Sequence, residues 1–277
     1  MSQNLLNLAD LKEQDILELI ELANNFKSED LLEYRHENLF PDKKVASIFC
    51  EPSTRTKLSF EIASCNLGAT FTDFNIENSS IQKGETIEDT VEAMMLMGID
   101  LCILRHAKSV IHDLAQAFPS MQFINAGEGA IAHPSQALLD LMTIKESKET
   151  FKDLKITIVG DLDHSRVVSS FLEAIQIVGY KSLTFCGHPD LCKTFLENPI
   201  GNFEPELDIA LQDADVIIAL RIQNERLTEK LSISAEDYIE RYQINIDTLQ
   251  AASSDAILLH PGPVNFGIEL NKDVSDL

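Results

Sequence analysis

The sequence predicts an α/β protein of two domains, each a mostly parallel sheet flanked by helices. Three observations lead there. Short apolar runs alternate with amphipathic stretches along the 277 residues, the rhythm of strands joined by crossover helices. The length suits two domains or one large α/β unit. The strand–helix pattern also restarts after a long helical stretch at 134–148, which we take as the link between residues 1–133 and 149–277.

The elements follow in order. Ile16, Leu19, Ile20, Ala23 and Phe26 recur at three-to-four spacing and predict an opening amphipathic helix. Residues 44–50 read as a buried strand, 54–67 as a helix stopped by Gly68, and 69–75 as a second strand. Residues 77–84 are too polar to pack and form a loop. A helix over 86–97 starts with Thr86 and Asp89 spaced as a capping box and stops at Gly98. Strands at 100–105 and 122–125 enclose a helix at 111–118. The helix from Pro134 has proline at its first position and His133 placed as its cap. Beyond it come a strand at 155–160, a helix at 165–178 stopped by Gly179, and strands at 182–186, 215–220 and 256–260.

Composition narrows the function. With 22 basic against 45 acidic residues the net charge is −23, a surface that repels nucleic-acid backbones. A small anion remains compatible, because a few arginines can build a local basic pocket. No apolar run approaches a membrane span, and the N-terminus lacks the basic and apolar regions of a signal peptide. The five cysteines are scattered without a Cys-x-x-Cys pair and read mostly as buried free thiols. These features read as a soluble cytoplasmic protein.

Unusual polar residues gather where predicted strands end, which is where α/β sheets bind ligands. After the strand at 44–50, Glu51-Pro52-Ser53-Thr54-Arg55-Thr56 offers hydroxyls, backbone N–H groups and a guanidinium at a helix start, suited to phosphate. A plain Ser/Thr cap would explain the hydroxyls but not the arginine in the first turn. Arg105-His106 ends the strand at 100–105. A glycine-bearing loop at 125–132 delivers His133 and, three residues on, Gln136, so that both point the same way. His260-Pro261-Gly262-Pro263 closes the last strand and leaves carbonyls free to accept hydrogen bonds. Asp161 to Arg166 occupies the place of a dinucleotide fingerprint but lacks Gly-x-Gly-x-x-Gly, so NAD is not expected. Arg221 and Gln223 share one face of an extended segment. Five of the seven arginines (55, 105, 166, 221 and 226) fall in these segments, which favours an anionic ligand over chance surface placement.

Seven segments together carry a resemblance: Ser53 to Thr56, Lys83-Gly84-Glu85-Thr86, Arg105-His106, His133-Pro134-Ser135-Gln136, Asp161 to Arg166, Arg221 to Arg226, and His260 to Pro263. In this order and over nearly the whole length, the sequence resembles the catalytic chains of the aspartate carbamoyltransferases. The ornithine-specific branch shares the first and fourth motifs but carries His-Cys-Leu-Pro near its end and a Ser-Met-Gly element. Here those places hold His260-Pro261-Gly262-Pro263 and Arg221-Ile222-Gln223, and arginines suit the carboxylates of aspartate while repelling an ornithine ammonium.

The resemblance implies carbamoyl transfer from carbamoyl phosphate to L-aspartate, an early step of de novo pyrimidine (UMP) biosynthesis, with neither metal nor cofactor. Ser53, Thr54, Arg55, Thr56 and Arg105 would hold phosphate; Thr56, Arg105 and His133 would stabilise the oxyanion, with Arg55 also counted as catalytic. Gln136 and the carbonyls at Pro261 and Gly262 would bind the carbamoyl NH₂. Arg166, Arg221 and Gln223 would hold aspartate, helped by Lys83, which with Ser79 would reach in from a neighbouring subunit of a homotrimer. Glu51 and Arg226 resemble residues that pair to hold the domains closed. Regulatory or dihydroorotase partner chains also occur in the family, and the sequence selects neither.

Two places depart from the family pattern. Asn265-Phe266-Gly267 stands where an Asn-Arg-Gly is usual, which removes a charge near the closing turn. The sequence ends at Leu277, where relatives continue into a C-terminal helix packed on the first domain, so an exposed apolar groove and a weaker hinge are expected. A fragment, a truncated product and a natural short form all fit. A weakly active carbamoyl-phosphate-binding or assembly subunit is therefore the alternative, disfavoured because every substrate-contacting motif is intact.

Overall fold

The computed structural model describes residues 4–27, 38–76, 79–223, 227 and 231–276. The chain divides into two compact units, residues 1–138 and 139–277, and the division falls inside a helix.

The first unit opens with α1 (Glu13–Lys27), which buries Ile16 and Ile20 and exposes Leu17 and Leu22. Then follow β1 (Lys44–Phe49), α2 (Thr54–Asn66), β2 (Thr70–Phe74), α3 (Ile87–Leu96), β3 (Leu101–His106), α4 (Ile111–Ala117), β4 (Gln122–Glu128) and the start of α5 (Pro134–Ser147). The four strands pair in parallel in the order β2-β1-β3-β4. Alternate residues face opposite sides of such a sheet. Ala46, Ile48, Cys102, Leu104 and Phe123 pack with Val91 and Met94 of α3 on one side, while Val45, Ile103 and Ala126 serve the other. The capping box of α3 forms as its spacing requires: the Asp89 N–H donates to Thr86 Oγ1 at 3.1 Å and the Thr86 N–H to Asp89 Oδ2 at 3.0 Å. Both bonds hold the Asp89 carboxyl below the usual carboxylate range, the backbone one first. Gly68 and Gly98, each at φ +83°, end α2 and α3 where the sequence placed their stops.

The second unit contains β5 (Lys155–Val159), α6 (Arg166–Val178), β6 (Ser182–Cys186), β7 (Asn202–Phe203), α7 (Leu207–Ala210), β8 (Val216–Ala219), α8 (Ala235–Tyr242), α9 (Ile246–Leu249) and β9 (Ile257–Leu259). Its parallel sheet runs β7-β6-β5-β8-β9. The apolar face of α6 buries Val168, Phe171, Leu172, Ile175 and Val178. Three elements not expected from the sequence, β7, α7 and α9, run only two to four residues, too short to show a period; the fourth, α8, buries Tyr238 and Tyr242 four apart, a helical spacing the sequence does carry.

Both sheets have a topological switch point, where successive connections leave in opposite directions. It lies between β1 and β3 in the first unit and between β5 and β8 in the second. Crevices at the carboxyl ends of such strand pairs are the ligand sites of open parallel sheets. The Ser53–Thr56 and Arg105 motifs leave the first pair, and the Asp161–Arg166 and Arg221–Gln223 motifs the second. Gly160 follows β5 with φ +123°, and a Cβ there would stand 2.3 Å from the Leu220 carbonyl oxygen. Its role is thus the close approach of β5 to β8, not a phosphate-binding turn.

All five cysteines are free thiols. Cys102, Cys186 and Cys192 are buried as expected, whereas Cys50, just past β1, and Cys65, on the outer side of α2, are exposed. Although the residue as a whole is exposed, desolvation around its sulfur, with Glu51 beside it, pushes the Cys50 thiol up to about 11. Among the described residues, no helix is long and apolar enough to cross a membrane.

Candidate active site

In the first unit the backbone brings Arg105 directly beside the end of β1: Phe49 pairs with Arg105, and the Cys50 N–H donates to the Arg105 carbonyl at 2.8 Å. Three residues on, Ser53 opens α2 with an extended backbone (φ −162°, ψ 94°), but its side chain makes no capping hydrogen bond. The plain capping role for Ser53 is therefore not the one adopted, and the first N–H groups of α2 keep no side-chain acceptor from it. Ser53 and Thr56 are half-buried, while Thr54 and Arg55 are exposed.

Acid placement sharpens the picture. The helices α1, α3 and α8 carry Asp or Glu in their first turns, as the helix dipole favours. The first turns of α2, α5 and α6 carry none. These are the three that start at Ser53–Thr56, at His133–Gln136 and at Arg166. In so acidic a chain, these helix starts repel an anion less than the others, although Ser165 Oγ already accepts the Val168 N–H at the start of α6.

The Arg105 side chain is gripped on two sides. Its Nη1 donates to the Ala126 carbonyl at 3.3 Å, and its Nε lies 3.4 Å from Glu51 Oε2. Glu51, read from the resemblance as a partner of Arg226, thus pairs with Arg105 in this structure; Arg226 itself lies outside the described residues. The strand expected at 122–125 extends as β4 to Glu128, so that only the end of the expected 125–132 loop is irregular; within β4 the Asn125 side chain accepts from the Gly127 N–H at 2.9 Å and donates to the Leu6 carbonyl at 2.9 Å. His133 follows, 8% exposed, with Nδ1 3.3 Å from Ser135 Oγ. Its carbonyl accepts the N–H groups of Gln136 and Ala137, so it does open α5, and Gln136 is half-buried one turn on. The Ser53, Arg105 and His133 motifs therefore leave three adjacent strands of one sheet at the same edge.

Glu128 was not foreseen. It is 3% exposed, and its Oε1 accepts the N–H groups of Val110 and Ile111 at 2.6 and 3.0 Å. A carboxylate from the end of β4 thereby caps α4, whose own Val110 cannot. The one available signal was an apolar residue, Val110, at the position of the cap.

Ser79 and Lys83 lie on the polar loop. The Ser79 hydroxyl donates to the Ile76 carbonyl at 2.8 Å, and Lys83 ends a short turn, Ser80–Lys83, with its side chain exposed.

In the second unit Asp161 organises the switch point. It is fully buried; Oδ1 sits 2.7 Å from His164 Nδ1, and Oδ2 accepts the Gln223 N–H at 3.0 Å. The Gln223 amide returns the link, donating from Nε2 to the His164 carbonyl at 2.8 Å. The loops after β5 and β8 are thus stitched together, with Arg166 at the first position of α6 and 8% exposed. Arg221 is half-buried, its Nη1 3.4 Å from the Ile222 carbonyl.

Beyond β9 the His260–Pro263 turn is locked from behind. The Gly262 N–H donates to His260 Nδ1 at 2.7 Å, while Nε2 lies 3.2 Å from Glu269 Oε1. An Nδ1 that accepts leaves the proton on Nε2, an assignment made from this hydrogen-bond pattern. Glu269 Oε1 also accepts the Asn265 N–H at 2.6 Å. Phe266, at the place of the usual arginine, is 45% exposed.

Comparison with known proteins agrees with this organisation. A family profile described as aspartate/ornithine carbamoyltransferase, carbamoyl-P binding domain, matches residues 3–146, and one described as the Asp/Orn binding domain matches residues 152–277. The aspartate carbamoyltransferase catalytic subunit of Koribacter versatilis is 41% identical over 276 residues, covering 99% of this chain and 89% of that protein. That of Caldanaerobacter subterraneus is 38% identical over 277 residues, covering 100% and 90%. Among solved structures, aspartate transcarbamoylase from Trypanosoma cruzi in complex with carbamoyl phosphate superposes with a TM-score of 0.85 at 27% identity, over 99% of this chain and 88% of that one. Its complex with N-(phosphonacetyl)-L-aspartic acid gives 0.84 at 28% identity, over 99% and 87%. Matched along both halves and by full-length relatives, this chain belongs to the aspartate/ornithine carbamoyltransferase family.

Proposed function

We propose that the chain transfers the carbamoyl group of carbamoyl phosphate to the amino group of L-aspartate, giving N-carbamoyl-L-aspartate and phosphate, an early step of pyrimidine synthesis in the cytoplasm. The observation that carries the reading is the pair of switch points, one edged by Ser53–Thr56 and Arg105, the other by Arg166, Arg221 and Gln223. The first suits the phosphate of an acyl phosphate and the second a dicarboxylate.

On this reading the uncharged aspartate amine attacks the carbamoyl carbon. The C–O bond to phosphate then breaks, phosphate leaves with the bonding pair, and the nitrogen sheds a proton. Ser53, Thr54, Arg55, Thr56 and Arg105 neutralise the phosphate, and Thr56, Arg105 and His133 stabilise the oxygen that becomes anionic. Gln136 and the carbonyls of Pro261 and Gly262 orient the carbamoyl NH₂, while Arg166, Arg221, Gln223 and Lys83 hold the carboxylates. No covalent intermediate on the protein is required; positioning and charge neutralisation supply the acceleration. Residues 1–133 form the carbamoyl-phosphate domain, 134–148 the link and 149–277 the aspartate domain.

The active unit is a homotrimer with shared sites. The exposure of Lys83 supports this, as do Leu58 and Ile62, 48% and 56% exposed one turn apart on α2, whose only buried residue is Ser64. The decisive experiment incubates carbamoyl phosphate with L-aspartate and, in parallel, with L-ornithine. Carbamoyl-aspartate from the first and no citrulline from the second is expected. Carbamoyl phosphate binding without product from either acceptor would favour the binding-subunit alternative. For shared sites, mixing Lys83→Ala with His133→Ala protein is expected to restore up to about a quarter of wild-type activity, because random exchange rebuilds some intact sites. No recovery after verified subunit exchange would rule out sharing.

A further inference from the structure

The turn that presents Pro261 and Gly262 holds itself only through the Gly262 N–H on the His260 ring. Its other fixed points are side-chain contacts to one residue nine positions from His260. Glu269 is 3% exposed, and a single oxygen, Oε1, takes both the Asn265 N–H at 2.6 Å and His260 Nε2 at 3.2 Å. His260 is 6% exposed in its side chain, and its other ring nitrogen takes the Gly262 N–H at 2.7 Å. One carboxylate oxygen thus reaches the loop from both ends: directly at residue 265, and through the imidazole at residue 262.

The arrangement is costly as mere packing. Glu269 Oε2 is buried and makes no hydrogen bond among the described residues. A carboxylate taken out of water and only half satisfied destabilises a fold relative to an apolar side chain of similar volume. The backbone bonds from Ile268 N–H to the Asn265 carbonyl at 3.0 Å and from Gly267 N–H to the Leu270 carbonyl at 2.7 Å already close the distal half of the loop. What they leave unsecured is the segment 260–262, and that is the segment the Glu269–His260 contact controls.

We propose that Glu269 is a positioning residue for carbamoyl transfer: acting through the Nε2–H tautomer of His260, it holds the Pro261–Gly262 peptide so that its carbonyls meet the carbamoyl NH₂. This rests on the function proposed above. A misplacement of an orienting group by about 1 Å can cost about a hundred-fold in rate, so the effect belongs in kcat and in KM for carbamoyl phosphate, not in KM for aspartate.

The test compares Glu269→Ala, Glu269→Gln and His260→Asn in the full chain. Glu269→Ala is expected to lower kcat by about thirty-fold and to raise KM for carbamoyl phosphate, with KM for aspartate unchanged. Glu269→Gln, which retains an acceptor oxygen, should recover most of the loss. In His260→Asn the amide oxygen still accepts the Gly262 N–H but the link to Glu269 is gone, so adding Glu269→Ala should cost less there than in the wild-type background. Amide exchange at Gly262 and Asn265, followed by ¹⁵N NMR, should quicken in Glu269→Ala. That measurement needs no turnover, so it judges the inference even where the assigned substrates fail. Wild-type kcat in Glu269→Ala, equal damage from Gln and Ala, strictly additive effects with His260→Asn, or unchanged exchange at Gly262 would each overturn the proposal. Should Glu269→Ala not fold, the Gln and Asn variants and their exchange rates carry the same decision.

Discussion

Arg105→Ala is expected to lower kcat/KM for carbamoyl phosphate by about a thousand-fold, the upper range for losing one preorganised donor at a developing oxyanion. The effect should be large because this side chain is assigned two tasks, neutralising phosphate and stabilising the carbonyl oxygen. It is also already oriented before any ligand arrives, by the Ala126 carbonyl and by Glu51. Removal would leave Glu51 without that cation beside the phosphate motif, adding repulsion to the lost attraction. Arg105→Lys separates the two tasks: it restores the charge but not the planar fork of donors, and should recover binding more than turnover. Steady-state kinetics over both substrates measure this. Turnover within about five-fold of wild type in Arg105→Ala would remove Arg105 from the reaction.

The second large effect is expected at Asp161. Asp161→Ala should raise KM for aspartate by about a hundred-fold while changing KM for carbamoyl phosphate little. It should also lower unfolding free energy by about 2 kcal/mol, because it strands partly buried donors. Those donors are His164 Nδ1 and the Gln223 N–H, and their loss unstitches the loop after β5 from the loop after β8. Urea denaturation and kinetics on the same preparation separate the two consequences. Equal rises in both KM values would mean that Asp161 supports the whole unit and not the acceptor loops in particular.

The fold was legible where a signal is local. Thr86 and Asp89 stand three apart and form the box they imply; Pro134 begins its helix; Gly68 and Gly98 end theirs. The strands of at least three residues could be read, most from an apolar run and β2 from Phe71 and Phe74 set among polar residues, but β7 has only Asn202 and Phe203 and exists through its neighbour β6. The same holds for the site. The motifs could be named from the sequence because each is contiguous and sits at a strand end. Their supports could not, because they join residues distant along the chain: Asp161 to Gln223, Glu128 back to Val110, Glu51 to Arg105. The sequence gives no local period or spacing for such pairs; they depend on which strand ends the sheet order brings together.

The uncapped start of α2 ties durability to metabolism. An N-cap is typically worth about 1 kcal/mol to a helix, and Ser53, which could supply that bond from its own hydroxyl, does not. On the proposed function the donor substrate's phosphate completes the helix instead. A ligand that binds only the folded state adds stability in proportion to the logarithm of its concentration over Kd. The protein would then be sturdiest when its substrate is plentiful and most open to unfolding and degradation when it is scarce, so that supply governs the lifetime of the catalyst as well as its rate.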